Sequence, residues 1–351
     1  MISFYPGPSK LYPEVPAYLQ QACNEGVLSI NHRSQEFIDL SKNTISLLKE
    51  KLNIPADYSV FYASSATECW EIIAQSFTRK QSLHIYNGAF GEKWYEYSKK
   101  INLNSVGIDF NVEKLPEVKI KIFKETEVLC LTQNETSNGT QLNDATIKGF
   151  KERFPELLIA IDATSSLAGI NLNFSSADIW FASVQKCFGL PAGMALLICS
   201  PKAMKRAFQI NDRRRYNSIL FMNDKMKEWQ TSYTPNVLII YLLNKILNQI
   251  SPISQTHELI TDRSAKWYDF FGQEKKLKTL ITNPEVRSNT VISIKGDEDI
   301  MEAIKQTVKK EGFILGNGYG KWAKTTFRIA NFPAHEEKDI SALKSLLQSY
   351  L

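Results

Sequence analysis

The stretch Asp178-Ile-Trp-Phe-Ala-Ser-Val-Gln-Lys-Cys-Phe-Gly-Leu-Pro-Ala-Gly193 places one lysine, Lys186, just past an apolar, β-rich run. Ile179, Trp180, Phe181, Ala182 and Val184 read as a buried strand, and Gly189, Pro191 and Gly193 as the turn that ends it. A strand end is a rigid mount. Apolar neighbours there disfavour the ammonium form and draw the amine below its usual pKa of about 10.4, towards a nucleophile. The same stretch also fits a surface lysine that opens a loop, and the rest of the chain has to separate the two readings.

Working outward, residues 157–161 form another apolar run, which stops at Asp162 with Ala163-Thr164-Ser165-Ser166 behind it. Residues 128–131 open into Thr132-Gln133-Asn134-Glu135-Thr136-Ser137-Asn138-Gly139, a polar loop ended by glycine. Residues 83–86 run into Asn87-Gly88-Ala89-Phe90-Gly91, where Phe90 either stacks on a flat ligand or packs in the core. Residues 58–62 break into Ala63-Ser64-Ser65-Ala66-Thr67-Glu68, and Trp70, Ile72, Ile73 and Phe77 continue at helical spacing. Strand, small-residue turn and helix start together make a phosphate cup, with Ser64, Ser65 and Thr67 adding hydroxyls to the first-turn amides; the alternative is an ordinary serine N-cap. Strands alternating with helical segments predict an α/β fold with a mostly parallel sheet flanked by helices, and such sheets collect ligands at the carboxyl ends of their strands.

Composition narrows the function classes. A net charge of +5 over 351 residues is mild, and the densest basic patch, Arg213-Arg214-Arg215, has no aromatic interleaving, so nucleic acid is not implied. There is no leader-like N-terminus and no apolar run of membrane-spanning length, which predicts a cytoplasmic protein without a membrane partner. Five scattered cysteines without a C-x-x-C pair argue against disulfides or a zinc site and read as reduced core residues. Pro6, Gly7, Pro8, Pro13 and Pro16 break up the first thirty residues, so residues 1–15 are expected to be an N-terminal arm, either part of the small domain or an active-site cover. Residues 16–250 are expected to form the large domain. From about residue 251 the periodicity changes, and 251–351 are expected to form a small α+β domain with its own core.

Five successive strand ends thus carry a hydroxyl cup, an aromatic ring, a polar loop, an acid and a lysine. Pyridoxal phosphate needs four things: an amine for its aldehyde, an anion beside its pyridine nitrogen, a cup for its phosphate and a partner over its ring. Lys186, Asp162, the 64–67 turn and Phe90 supply one each. Here the chain resembles the class V (fold-type I) pyridoxal-phosphate aminotransferases, and among them most closely the branch that acts on phosphoserine. The resemblance covers nearly the whole chain in order. It runs through Phe4-Tyr5-Pro6-Gly7-Pro8, His32-Arg33-Ser34 with Glu36-Phe37, the small-residue cup, Asn134-Glu135-Thr136 with Gly139, Asp162 to Ser166, Gln185-Lys186 with Gly189, Pro191, Ala192 and Gly193, and Thr234-Pro235.

That resemblance implies a transaminase in which Lys186 forms the Schiff base, Asp162 partners the pyridine nitrogen, and Thr136 and Gln185 lie near the ring hydroxyl. It puts Ser65 and Ala66 in the phosphate cup, sends Tyr233 and Thr234 to the cofactor of a neighbouring subunit, and so implies a homodimer with shared sites. Arg328, a charge among apolar neighbours in Phe327-Arg328-Ile329, reads from the residues as needing a partner, either an internal salt bridge or a ligand; the resemblance makes it the fork for the substrate α-carboxylate. His32 and Arg33 are implied for the substrate side. The expected reaction is transfer between phosphoserine and 2-oxoglutarate. Three departures bear on substrate: Phe90 stands where the family usually has tryptophan, Tyr233 where it usually has asparagine, and a second His-Arg pair of the phosphoserine branch is missing from residues 315–321, while His32-Arg33 survives and Lys321 is a candidate to compensate. Three other readings stay open: an aminotransferase for alanine, serine or glyoxylate, a cysteine desulfurase, and a non-catalytic binding protein of the same fold. Gly316, Gly318 and Gly320 do not open a helix in a βαβ unit, so no nucleotide loop is expected there.

Overall fold

The computed structural model describes residues 1–102, 104–272 and 276–350. Its main sheet has seven strands, in the order Ser59–Ala63, Ala195–Cys199, Ile179–Ser183, Leu158–Asp162, Thr126–Thr132, Gln81–Tyr86 and Val106–Asp109. Six run the same way, and Ala195–Cys199 is inserted antiparallel between Ser59–Ala63 and Ile179–Ser183. The predicted α/β architecture is the one observed.

These strands are near-continuous apolar runs because both faces of the sheet are covered. Alternate residues feed two cores. Trp180, Ala182, Ile159 and Ile161 point to one, with the helices Gln35–Leu52 and Val237–Gln249. Ile179, Phe181, Leu158 and Ala160 point to the other, with Trp70, Ile72 and Ile73 of the helix Ala66–Ser76. Helix starts follow the local chemistry: Ser34, Ser65, Asn143 and Ser200 each accept a first-turn amide, and Pro16 and Pro201 sit in first turns, where a missing N–H costs nothing.

A second sheet is built mainly from the C-terminal third, in the order Ile2–Phe4, Phe313–Asn317, Thr326–Ala330, Val291–Lys295 and Lys278–Thr279. It has its own core, where Phe4 joins Trp267, Phe271, Ile292, Phe327 and Leu343. The N-terminal arm is therefore partly a strand, paired in parallel with Phe313–Asn317 through Ile2↔Phe313 and Phe4↔Leu315. The rest of the arm crosses to the main sheet, where the Ser9 N–H donates to the Gln185 carbonyl at 3.2 Å and the Tyr12 N–H to that of Gly189 at 3.1 Å. Four of the five cysteines are buried, but Cys23, expected in the core, is exposed on the helix Val15–Asn24, which puts the buried Ala22 inward instead. Among the described residues no single helix is long and apolar enough to cross a membrane.

Candidate active site

The parallel strands end in register. Asp162 closes its strand beside Phe181 on one side and Thr132 on the other, and Ala195 pairs with both Ala63 and Ser183. The side chains after these ends therefore converge on a cavity of about 300 Å³, lined among others by Ser65, Ala66, Thr67, Phe90, Thr136, Asp162, Gln185, Lys186 and Arg328.

Lys186 lies three residues past its strand, in a loop that folds back on itself. The Gly189 N–H donates to the Lys186 carbonyl at 2.9 Å and the Leu190 N–H to that of Val184 at 3.3 Å, with Gly189 in the left-handed region at φ +59°. The side chain is 6% exposed. Its Nζ donates to Thr136 Oγ1 at 2.9 Å and stands 5.3 Å from the Phe90 ring centroid. Burial draws the amine down to about 8, against the opposing pull of Asp162. Gly7 comes so close that a Cβ on it would lie 2.8 Å from Lys186 Cε, and its φ of +128° also suits only glycine.

Asp162 is buried, and its Oδ1 accepts the Thr164 N–H at 2.9 Å. Burial pushes its carboxyl up, while Thr164 and the Lys186 cation draw it back. A cation held against this carboxylate is what such a pocket favours. At the cup, Ser65 caps Ala66–Ser76 by accepting the Glu68 N–H at 3.1 Å, and the Ala66 N–H donates to Ser183 Oγ at 3.1 Å. Ser64 departs from expectation: its N–H and hydroxyl both donate to Glu68 Oε2 at 2.6 Å, which turns it out of the cavity lining.

Arg328 sits on Thr326–Ala330 and is 3% exposed. Its guanidinium donates to the carbonyls of Asn317 and Thr136, each at 2.7 Å, and among the described residues no carboxylate pairs with it. An internal salt bridge is thereby excluded within the described chain. Burial lowers its pKa, as for any cation without an anion. Two buried hydroxyls on the cavity wall, Thr132 Oγ1 and Thr164 Oγ1, also lack a hydrogen-bond partner. Unpaired buried polar atoms around a lysine, an acid and an unmatched arginine are the complement of a polar, anionic ligand, and the residues present fit pyridoxal phosphate.

Five expected site residues lie elsewhere in the chain. His32 is half-buried with its ring edge on Phe37, and Arg33 is exposed just before the cap Ser34. Tyr233 sets its ring edge against Tyr216, and Thr234 is exposed. Lys321, expected to compensate for the missing pair, stands 4.7 Å over the Trp322 ring and lines a separate cavity of about 700 Å³. Lys321 sits on the turn Gly320–Trp322 and does not line the Lys186 cavity.

The structure adds residues that the sequence reading did not assign. Glu135 is buried and accepts the N–H groups of Phe90, Gly91 and Ser137 and the Ser137 hydroxyl, so it fixes the start of the helix Ala89–Ile101 and with it Phe90. Ser165 ties the Asn134 side chain (2.8 Å) to the Thr136 hydroxyl (2.9 Å). Tyr319 forms a wall shared by both cavities, between Phe90 and Arg328. A buried acid in a loop facing a helix start is a usable signal for Glu135; for Tyr319, in a glycine-rich turn, the sequence holds none.

Comparison with known proteins fits this geometry. The family described as Aminotransferase class-V matches residues 4–321. A phosphoserine aminotransferase of Rhodococcus opacus is 28% identical over 96% of this chain and 91% of its own length. The crystal structure of a phosphoserine aminotransferase from Cytophaga hutchinsonii superposes with a TM-score of 0.94 at 31% identity, over 99% of this chain and 98% of that one. An aspartate aminotransferase from Thermus thermophilus shares the fold, with a TM-score of 0.87 at 21% identity over 100% and 99% of the two chains. With a buried lysine and acid on adjacent strand ends, and a family match over most of its length, the chain belongs to the class-V aminotransferases, which are pyridoxal-phosphate-dependent transaminases.

Proposed function

We propose that this chain holds pyridoxal phosphate at Lys186 and exchanges the amino group of phosphoserine with a 2-oxo acid, 2-oxoglutarate in the expected pairing. The observation that carries the reading is Arg328, a buried guanidinium without a carboxylate, set across one cavity from a desolvated lysine and a buried acid. The relatives named for phosphoserine support the substrate.

The cofactor, when bound, supplies an electron sink that acidifies the substrate Cα. The chain's residues do the rest. Ser65, Ala66 and Thr67 receive the cofactor phosphate at a helix N-terminus, and Phe90 covers the ring. Asp162 would supply the anion for the pyridine nitrogen, and Thr136 and Gln185 would serve the ring hydroxyl. Arg328 grips the α-carboxylate as a planar fork. Lys186, as a neutral amine, would be the base that takes the proton from the substrate Cα. His32, Arg33, Tyr233 and Thr234 enter this scheme through a homodimer with shared sites, since none of them lines the chain's own cavity.

A second reading, an aminotransferase for serine, alanine or glyoxylate, is favoured by one observation: Lys321 packs on Trp322 and leaves the 315–321 segment without a cation in the Lys186 cavity. One experiment addresses both. The purified protein is expected to be yellow, to be bleached by borohydride with a label on Lys186, and to turn over phosphoserine with a higher kcat/KM than serine or alanine. A colourless protein that takes up no added cofactor refutes the first reading, and equal efficiencies transfer the case to the second.

A further inference from the structure

A substrate with a carboxylate at one end and a phosphate at the other needs a cation for each. Among the described residues the Lys186 cavity is lined by two cations, Lys186 and Arg328. The first is committed to chemistry and the second to the carboxylate, and Lys321 packs on Trp322 outside the cavity lining. One further cation contacts the cavity wall. Lys93 lies three residues after Phe90 on Ala89–Ile101, so the two share a helix face. Its Nζ donates to the Tyr319 hydroxyl at 2.5 Å and stands 5.1 Å from the Tyr319 ring centroid and 5.9 Å from that of Phe90. It has no carboxylate within ion-pairing distance among the described residues. The phenol ring also stands 5.6 Å from the Arg328 guanidinium and 5.4 Å from the Phe90 ring.

We propose that Lys93, presented by Tyr319, is a specificity-determining cation for the anionic side chain of the substrate, in addition to the His32 and Arg33 that the homodimeric scheme brings from a second copy. This deepens, and rests on, the phosphoserine reading. Arg328 and Lys93 both stand against the Tyr319 ring, so a substrate whose carboxylate meets Arg328 would have to pass the phenol to reach the ammonium, which lies outside the cavity lining. A lysine suits that end. It is a compact charge on a flexible stem, free to leave the phenol for a phosphate oxygen, whereas a residue already ion-paired would have to break that pair. The Tyr319 contact also brings a cation from the helix Ala89–Ile101 to the 315–321 segment, where the second His-Arg pair is missing.

The test compares wild-type holoenzyme with Lys93→Gln, Lys93→Arg and Tyr319→Phe, and with Lys100→Gln as a control on the same helix. Substrates are phosphoserine and alanine, and the yellow chromophore verifies loading of each variant. Lys93→Gln is expected to raise KM for phosphoserine about tenfold with little change in kcat, and to leave the rate of half-transamination of alanine unchanged. Lys93→Arg should recover most of the loss. Tyr319→Phe should show a smaller rise in KM, and Lys100→Gln none. If the wild type turns over phosphoserine and Lys93→Gln has an unaltered KM, the assignment of Lys93 is wrong and the substrate reading stands. If the wild type is loaded but ignores phosphoserine, the substrate reading fails and takes this inference with it.

Discussion

At Lys186, burial rather than a neighbouring charge sets the chemistry. Asp162 and Glu135 favour the ammonium, yet desolvation outweighs them and brings the amine to about 8. Below that pH the nitrogen is protonated and has no lone pair to offer an aldehyde; above it the free amine dominates. The rate at which the cofactor-free protein takes up pyridoxal phosphate should therefore climb about tenfold per pH unit on the acid side and level off near pH 8, as read by stopped-flow absorbance. A climb continuing to pH 10 would mean that the lysine is solvated. The sequence made Lys186, Asp162 and Arg328 legible for one physical reason: each is a charge attached to an apolar run, and such a charge is either expelled or used. Tyr319 and Lys93 offer no such contrast, being an aromatic in a glycine-rich turn and a lysine on an exposed helix face.

The helix Ala89–Ile101 shows how an element is positioned for this chemistry. Its N-cap, Gly88, has no side chain to offer, and Glu135 from the neighbouring strand end takes that role, accepting the Gly91 N–H at 3.1 Å and the Ser137 hydroxyl at 2.6 Å. Gly88 has to be small for this, since a Cβ there would lie 2.4 Å from Glu135 Cγ. Glu135→Ala would leave several buried donors unmatched at the positive end of a helix. It should cost about 3 kcal/mol, measured as a lowered denaturant midpoint at constant slope, whereas Glu135→Gln should cost about 1 kcal/mol because acceptors remain. Equal stability of Glu135→Ala and wild type would remove this carboxylate from the account of how Phe90 is held. Elements were legible where strand and loop chemistry alternate, and least so at Val106–Asp109 and Ala195–Cys199. The first is a short edge strand, half-exposed, with Gly107 in it; the second reverses direction within the sheet, and a five-residue apolar run does not announce its direction. The strands Ile2–Phe4 and Phe313–Asn317 escaped for another reason: they pair with each other across more than three hundred residues, and local pattern does not report such distant pairing.

On the scale of the molecule, two sheets meet at Lys186. The main sheet delivers the lysine, acid and cup, the second delivers Arg328, and the N-terminal arm, which begins in the second sheet, crosses to Gln185 and Gly189. One chain thus brings Lys186, Asp162, the cup and Arg328 to one cavity, and those residues were also the legible ones. His32, Arg33, Tyr233 and Thr234 do not join it, and position along the sequence does not tell a residue that serves its own chain from one that serves a second copy. On the dimeric reading proposed above, the distinction has a direct consequence. Chains carrying Lys186→Ala and chains carrying Arg33→Ala are each expected to be nearly inactive alone. Unfolded together and refolded at equal amounts, they form mixed dimers. If Arg33 acts across the interface, one of the two sites in each mixed dimer pairs an intact lysine with an intact arginine, and the mixture should regain about a quarter of wild-type activity. If Arg33 serves its own chain, every site in the mixed dimer lacks one of the two, and the mixture stays as inactive as its parents. Steady-state activity of the refolded mixture, with dimer formation verified by sedimentation, decides between a shared site and a self-contained one.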